Sequence, residues 1–90
     1  MDSILRLDGI HKSIRYSLSA SANIRLNIYN LKGEKVRTLI NQHQTEGSFE
    51  ISWNGTNDND ERVASGIYIF KMDINTGRET LSQSHKMLFN

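Results

Sequence analysis

Ninety residues are enough for one small domain, but too few for a deep cleft with its own supporting shell. Eleven basic against ten acidic side chains leave a net charge of +1, which excludes the electrostatic footprint of a nucleic-acid or anionic-membrane binder. The absence of cysteine excludes disulfides, thiol nucleophiles and thiolate metal sites.

Residues 1–12 lack clean alternation and are expected to form a leader, an edge segment or the remnant of a preceding domain, with the main domain over 13–90. No basic stretch followed by an apolar run opens the chain, so no signal peptide is read there. No apolar run approaches the about 18 residues of a membrane span. From Ser13 onward, apolar residues recur at every second position, as they do in half-buried strands. Ile14, Tyr16 and Leu18 alternate with polar neighbours, as do Ile24, Leu26 and Ile28, and then Phe49, Ile51 and Trp53. Val36, Leu39 and Ile40 break the pattern and would also suit one helical turn. Tyr68, Phe70, Met72 and Ile74 form one face of a later strand, with Ile67 and Ile69 on the other, so that strand is expected to be central and covered on both sides.

The breaks between runs carry turn chemistry. Asn30 to Glu34 places Gly33 where a positive φ is needed, and Thr45 to Gly47, Asn54 to Asp60 and Asn75 to Gly77 mark other turns. Strands are thereby expected near 13–19, 22–30, 34–41, 47–53, 61–64, 66–74 and 79–89. The class is all-β, an antiparallel sandwich of about seven strands.

Chemistry-bearing constellations are sparse. His11, His43 and His85 are far apart in sequence and lack metal-motif spacing, and no nucleophile elbow or glycine-rich phosphate loop is present. No catalytic, cofactor or metal residues are therefore assigned. The oxygen-rich run Asn54 to Glu61 does not place glycine and glutamate as a calcium loop requires, so it reads as a turn. Asn54-Gly55-Thr56 matches a glycosylation sequon, a triplet common by chance. Trp53 could offer a sugar-stacking platform, but its phase with Phe49 and Ile51 points it to the core. Tyr29 is out of phase with the inward residues of its strand and is expected on the outer face or at a strand end.

In combination, the segments are more specific. Ile28-Tyr29-Asn30 leads through Gly33 to Val36 and Leu39, Gly47 leads to Trp53-Asn54-Gly55, Val63-Ala64-Ser65-Gly66-Ile67-Tyr68 follows, and Lys86-Met87-Leu88-Phe89 lies near the end. This order resembles the type A C-terminal sorting domain of the bacterial type IX secretion system, and the related immunoglobulin-like domain of flagellar hook-capping proteins shares much of the middle. Three departures stand out: this chain has no proline where members commonly open with a Pro-Asn-Pro-like stretch, Ser19-Ala20 stands where they carry a proline after the first strand, and Asp60 stands where the loop usually has glycine.

The resemblance implies an immunoglobulin-like antiparallel β-sandwich in which Tyr29, Gly33, Trp53, Gly55, Gly66 and Tyr68 are structural. It also implies a non-catalytic signal at the end of a larger exported polypeptide, secreted or surface-bound by way of the periplasm and outer membrane. The implied partners are the type IX secretion machinery, a sortase-like peptidase and an N-terminal cargo domain in the same polypeptide, with no nucleic acid and no membrane insertion. Lys86, Met87, Leu88 and Phe89 are the expected recognition residues. Two other classes are an immunoglobulin-like module that binds carbohydrate or protein for a secreted enzyme or adhesin, and a hook-cap structural domain.

Overall fold

Alternation over the runs described above builds two antiparallel sheets that face each other across an apolar core. The computed structural model describes residues 13–89 and the backbone of residues 3–8. Seven strands follow in order: β1 (Ser3–Asp8), β2 (Ser13–Leu18), β3 (Ala22–Tyr29), β4 (Lys35–Gln44), β5 (Gly47–Ser52), β6 (Gly66–Asn75) and β7 (Thr80–Phe89). One sheet has the order β1-β2-β5 and the other β4-β3-β6-β7. The β2–β5 and β3–β6 pairs join strands distant in sequence, so the core closes only when non-local pairing is complete.

Ile14, Tyr16 and Leu18 on one sheet meet Ile24, Leu26, Ile28, Phe70, Met72 and Ile74 on the other, all of them buried. Tyr16 stacks on Phe49 at 5.3 Å and donates its hydroxyl to Gln44 Oε1 at 2.5 Å. Burial pushes the Tyr16 phenol above its ordinary pKa, and the Gln44 bond partly offsets this.

The structure sharpens the sequence reading in two places and departs from it in two. Residues 3–8, inside the segment read as leader, edge or remnant, form an edge strand paired in register from Ser3↔Leu18 to Asp8↔Ser13; residues 1, 2 and 9–12, with His11, lie outside the described residues. The ambiguous stretch around Leu39 is strand, but a bulged one. Against β3, the register steps from Leu26↔Ile40 to Asn27↔Thr38 and from Ile28↔Arg37 to Tyr29↔Lys35. Leu39 and Val36 are thus extra residues, and each resets the pleat by one position, which produces a helix-like spacing in an extended chain.

No strand forms over 61–64. That stretch makes one isolated bridge, Thr56↔Arg62, because the backbone around it curls into a turn. The turn repeats the β3–β4 connection almost bond for bond. In Asn30–Glu34, Asn30 Oδ1 accepts from the Lys32 and Glu34 amides and Asn30 N donates to Glu34 O. In Asn57–Glu61, Asn57 Oδ1 accepts from the Asn59 and Glu61 amides and Asn57 N donates to Glu61 O. The fourth residue of each loop is left-handed, Gly33 at φ 85° and Asp60 at φ 61°. Asn57 Oδ1 is thus taken up by turn amides, while Asp58 Oδ1 accepts from the Thr38 amide and Asp60 Oδ1 from Arg37, and no group of metal-holding side chains occurs among the described residues.

Asp60 therefore occupies a conformation that favours glycine, at a cost of about 1–2 kcal/mol for an ordinary side chain. Its carboxylate accepts from Arg37 at 3.1 Å, although the Asp60 side chain is 83% exposed, which holds that gain to at most about 1 kcal/mol. We expect Asp60→Gly to leave stability within about 0.5 kcal/mol of the parent, since relief of strain offsets the lost contact and the greater freedom of the unfolded chain. Asp60→Val should lower it by about 1–2 kcal/mol. Urea unfolding of the two variants checks the difference.

The second departure concerns β6. It is central, between β3 and β7, but its outer face is not covered by the described residues: Ile67 is 44% exposed.

Candidate functional site: the C-terminal edge strand

β7 lies at the edge of the four-stranded sheet and pairs along all ten residues with β6, from Gly66↔Phe89 to Asn75↔Thr80. No further strand of that sheet flanks its other side, where β1 of the facing sheet comes close. The pleat divides the four residues expected to be read. Met87 and Phe89 point inward: Met87 is 3% exposed and Phe89 packs against the core. Lys86 and Leu88 are exposed, with Leu88 at 57%. One strand thus fills the core with alternate residues and displays the others.

The inward pair is held by an aromatic cluster. The Phe89 ring lies 5.0 Å from that of Trp53 and 6.4 Å from that of Tyr68. Trp53 meets Tyr68 at 5.1 Å and Phe70 at 5.9 Å, edge to face. Each polar handle is satisfied locally: Trp53 Nε1 donates to the Thr56 carbonyl at 2.8 Å, and the Tyr68 hydroxyl to the Ala64 carbonyl at 2.6 Å. Trp53 is 2% exposed and cannot serve as a sugar platform.

Gly55 completes this corner. Its backbone is left-handed, at φ 78°, and a Cβ built there would stand 2.7 Å from Phe89 Cε1 and Cε2, well inside van der Waals contact. The Phe89 ring thus rests on the glycine itself, so residue 89 is tied to the loop after Trp53. Gly33 serves its turn with open space around it. Gly66 opens β6 in register with Phe89, without a bulge, and nothing lies near its missing Cβ. Tyr29 faces outward, half-buried, and its hydroxyl accepts from Asn27 Nδ2 at 3.2 Å. Sequence reasoning missed the outward grouping of Tyr29 and Ile69 with Lys86, because only pairing across β3, β6 and β7 puts them in one row.

The family model of the FlgD Ig-like domain matches residues 3–78, which is most of the chain and runs from β1 through the β6–β7 turn. The chain belongs to the FlgD Ig-like domain family. Solved structures share the fold. FlgD from P. aeruginosa superposes with a TM-score of 0.69 at 23% identity, over 98% of this chain and 67% of that one. Latent dimeric PorU from Porphyromonas gingivalis superposes with a TM-score of 0.68 at 18% identity. That alignment takes in 97% of this chain but only 9% of PorU. No curated protein matches in sequence. The immunoglobulin-like sandwich is thereby established, and the chain corresponds to a small part of at least one much larger protein.

Proposed function

We propose that this FlgD-type immunoglobulin-like domain is a non-catalytic sorting module of a larger exported polypeptide, read at β7 by the type IX outer-membrane translocon. The supporting observation is the alternation along the outermost strand of the four-stranded sheet, where Met87 and Phe89 anchor the strand and Lys86 and Leu88 stay exposed. A strand of this kind can be recognised by β-addition, with backbone bonds giving affinity and outward side chains selectivity. The shared fold with a small part of PorU, from P. gingivalis, is in keeping with this reading. In that role the domain contributes no chemistry. Its partners are the translocon, a sortase-like peptidase and the cargo ahead of it, and its destination is the cell surface or the medium.

Truncation alone would confuse sorting with folding, because Met87 and Phe89 belong to the core. The informative variant is Lys86→Glu with Leu88→Asp in the full-length parent. We expect the cargo to be retained in the periplasm as completely as after deletion of Lys86–Asn90, while the isolated double variant melts within a few degrees of the parent. Secretion of the folded double variant at the parental level would overturn the proposal.

A second reading, a structural module of a hook-cap-type assembly, is favoured by the family match itself. Under it, the double variant would leave secretion unchanged and impair assembly instead. The carbohydrate-binding alternative loses its main support with the burial of Trp53.

A further inference from the structure

β6 carries apolar residues on both faces, a pattern typical of a strand covered on both sides, yet the described residues cover only one. On the outer face, pairing aligns Lys35, Tyr29, Ile69 and Lys86 in one row across all four strands. Ile67 and Leu88 lie opposite each other, two positions before Ile69 on β6 and two after Lys86 on β7, and Lys71 lies two positions after Ile69. Tyr29 and Ile69 are half-buried, Ile67 and Leu88 are exposed, and all three lysines are exposed. The result is an apolar centre flanked by cations. From β4 to β7 the row crosses three strand spacings, or about 14 Å.

The charge around this patch is mostly positive, with Asp58 beside Lys35 and Asp73 two positions after Lys71 as the acidic exceptions. Lys35 has a loose contact to Asp58 at 3.8 Å, and no carboxylate among the described residues lies within ion-pair distance of Lys71 or Lys86. We infer that the outer face of the four-stranded sheet is a protein-docking surface whose partner presents an apolar centre flanked by carboxylates. Charge complementarity selects that occupant. A symmetric contact with a second copy would bring the same lysines together, and like charges across an interface are unfavourable. An anionic bilayer is recognised by clusters of about four to eight basic residues, which three lysines and a net charge of +1 do not supply. The inference does not depend on the sorting role, because its key residues Tyr29, Ile67, Ile69 and Lys71 lie outside the four assigned to sorting.

The test is an amide chemical-shift titration of the 90-residue chain with a synthetic decapeptide of alternating valine and glutamate, and with its valine–lysine counterpart. The glutamate peptide should shift residues 29, 67, 69, 71, 86 and 88, with binding that weakens as salt is added. The lysine peptide should bind at least about tenfold more weakly. Ile67→Asp and Lys71→Glu, both on the outer face and compatible with folding, should each reduce binding of the glutamate peptide several-fold. Equal response to both peptides, shifts confined to the outer edge of β7, or no shifts would overturn the inference. So would stronger binding to phosphatidylglycerol vesicles, or a dimer in sedimentation that buries Ile67.

Discussion

Replacing Trp53 with alanine should remove about 3–5 kcal/mol of stability, much of what a domain of this size has. The indole is 2% exposed and is the hub of the ring cluster formed with Tyr68, Phe70 and Phe89. Truncation leaves a cavity that two strands and a long loop cannot close together, and each lost aromatic pair removes about 0.5–1.5 kcal/mol beyond area alone. It also leaves the Thr56 carbonyl without its indole donor. Trp53→Phe should retain part of the packing but not the hydrogen bond, and should fall between parent and alanine. Urea unfolding followed by far-ultraviolet circular dichroism measures both. A loss below about 1 kcal/mol for the alanine variant would mean that the sandwich does not depend on this residue.

The second large effect is expected from the smallest change. Gly55→Ala adds one methyl group, yet it should lower stability by about 3 kcal/mol. Two costs combine: about 1–2 kcal/mol for a side chain in the left-handed conformation, and the expulsion of the Phe89 ring, worth about 1.5–3 kcal/mol of lost burial. Phe89 cannot yield cheaply, because Trp53 and Tyr68 hold its other sides. A double-mutant cycle tests the contact directly. In a Phe89→Ala background, Gly55→Ala should cost only the backbone share, so the two changes should be clearly less than additive. Additive effects would show that the ring does not rest on the glycine.

These effects also show where the sequence is legible. Trp53, Tyr68, Phe70 and Met72 are inward because apolar residues recur at every second position, and a pleated strand turns that spacing into a face. Tyr29 is outward by the same rule. β4 obscures its phase because its bulges at Val36 and Leu39 each insert one residue, and a period-two pattern cannot show the insertion. Val63 is partly buried against the core although it belongs to no strand, so an apolar residue there suggests a strand where a turn closes instead. Lys86 to Phe89 can be located from sequence, but their division into an anchored and a displayed pair follows from β7 lying at a sheet edge. Sheet order has no local signal, because it is decided by pairings such as β2 with β5 across more than thirty residues.

The clasp between Phe89 and Gly55 has a consequence for biosynthesis. A nascent chain that has emerged only as far as β6 has the Trp53 pocket open on one side and the hydrogen-bonding edge of β6 bare, since both are completed by the last ten-residue strand. Closure therefore waits until residue 89 has cleared the ribosome tunnel, so packing of the sandwich must follow synthesis of its first six strands rather than accompany it.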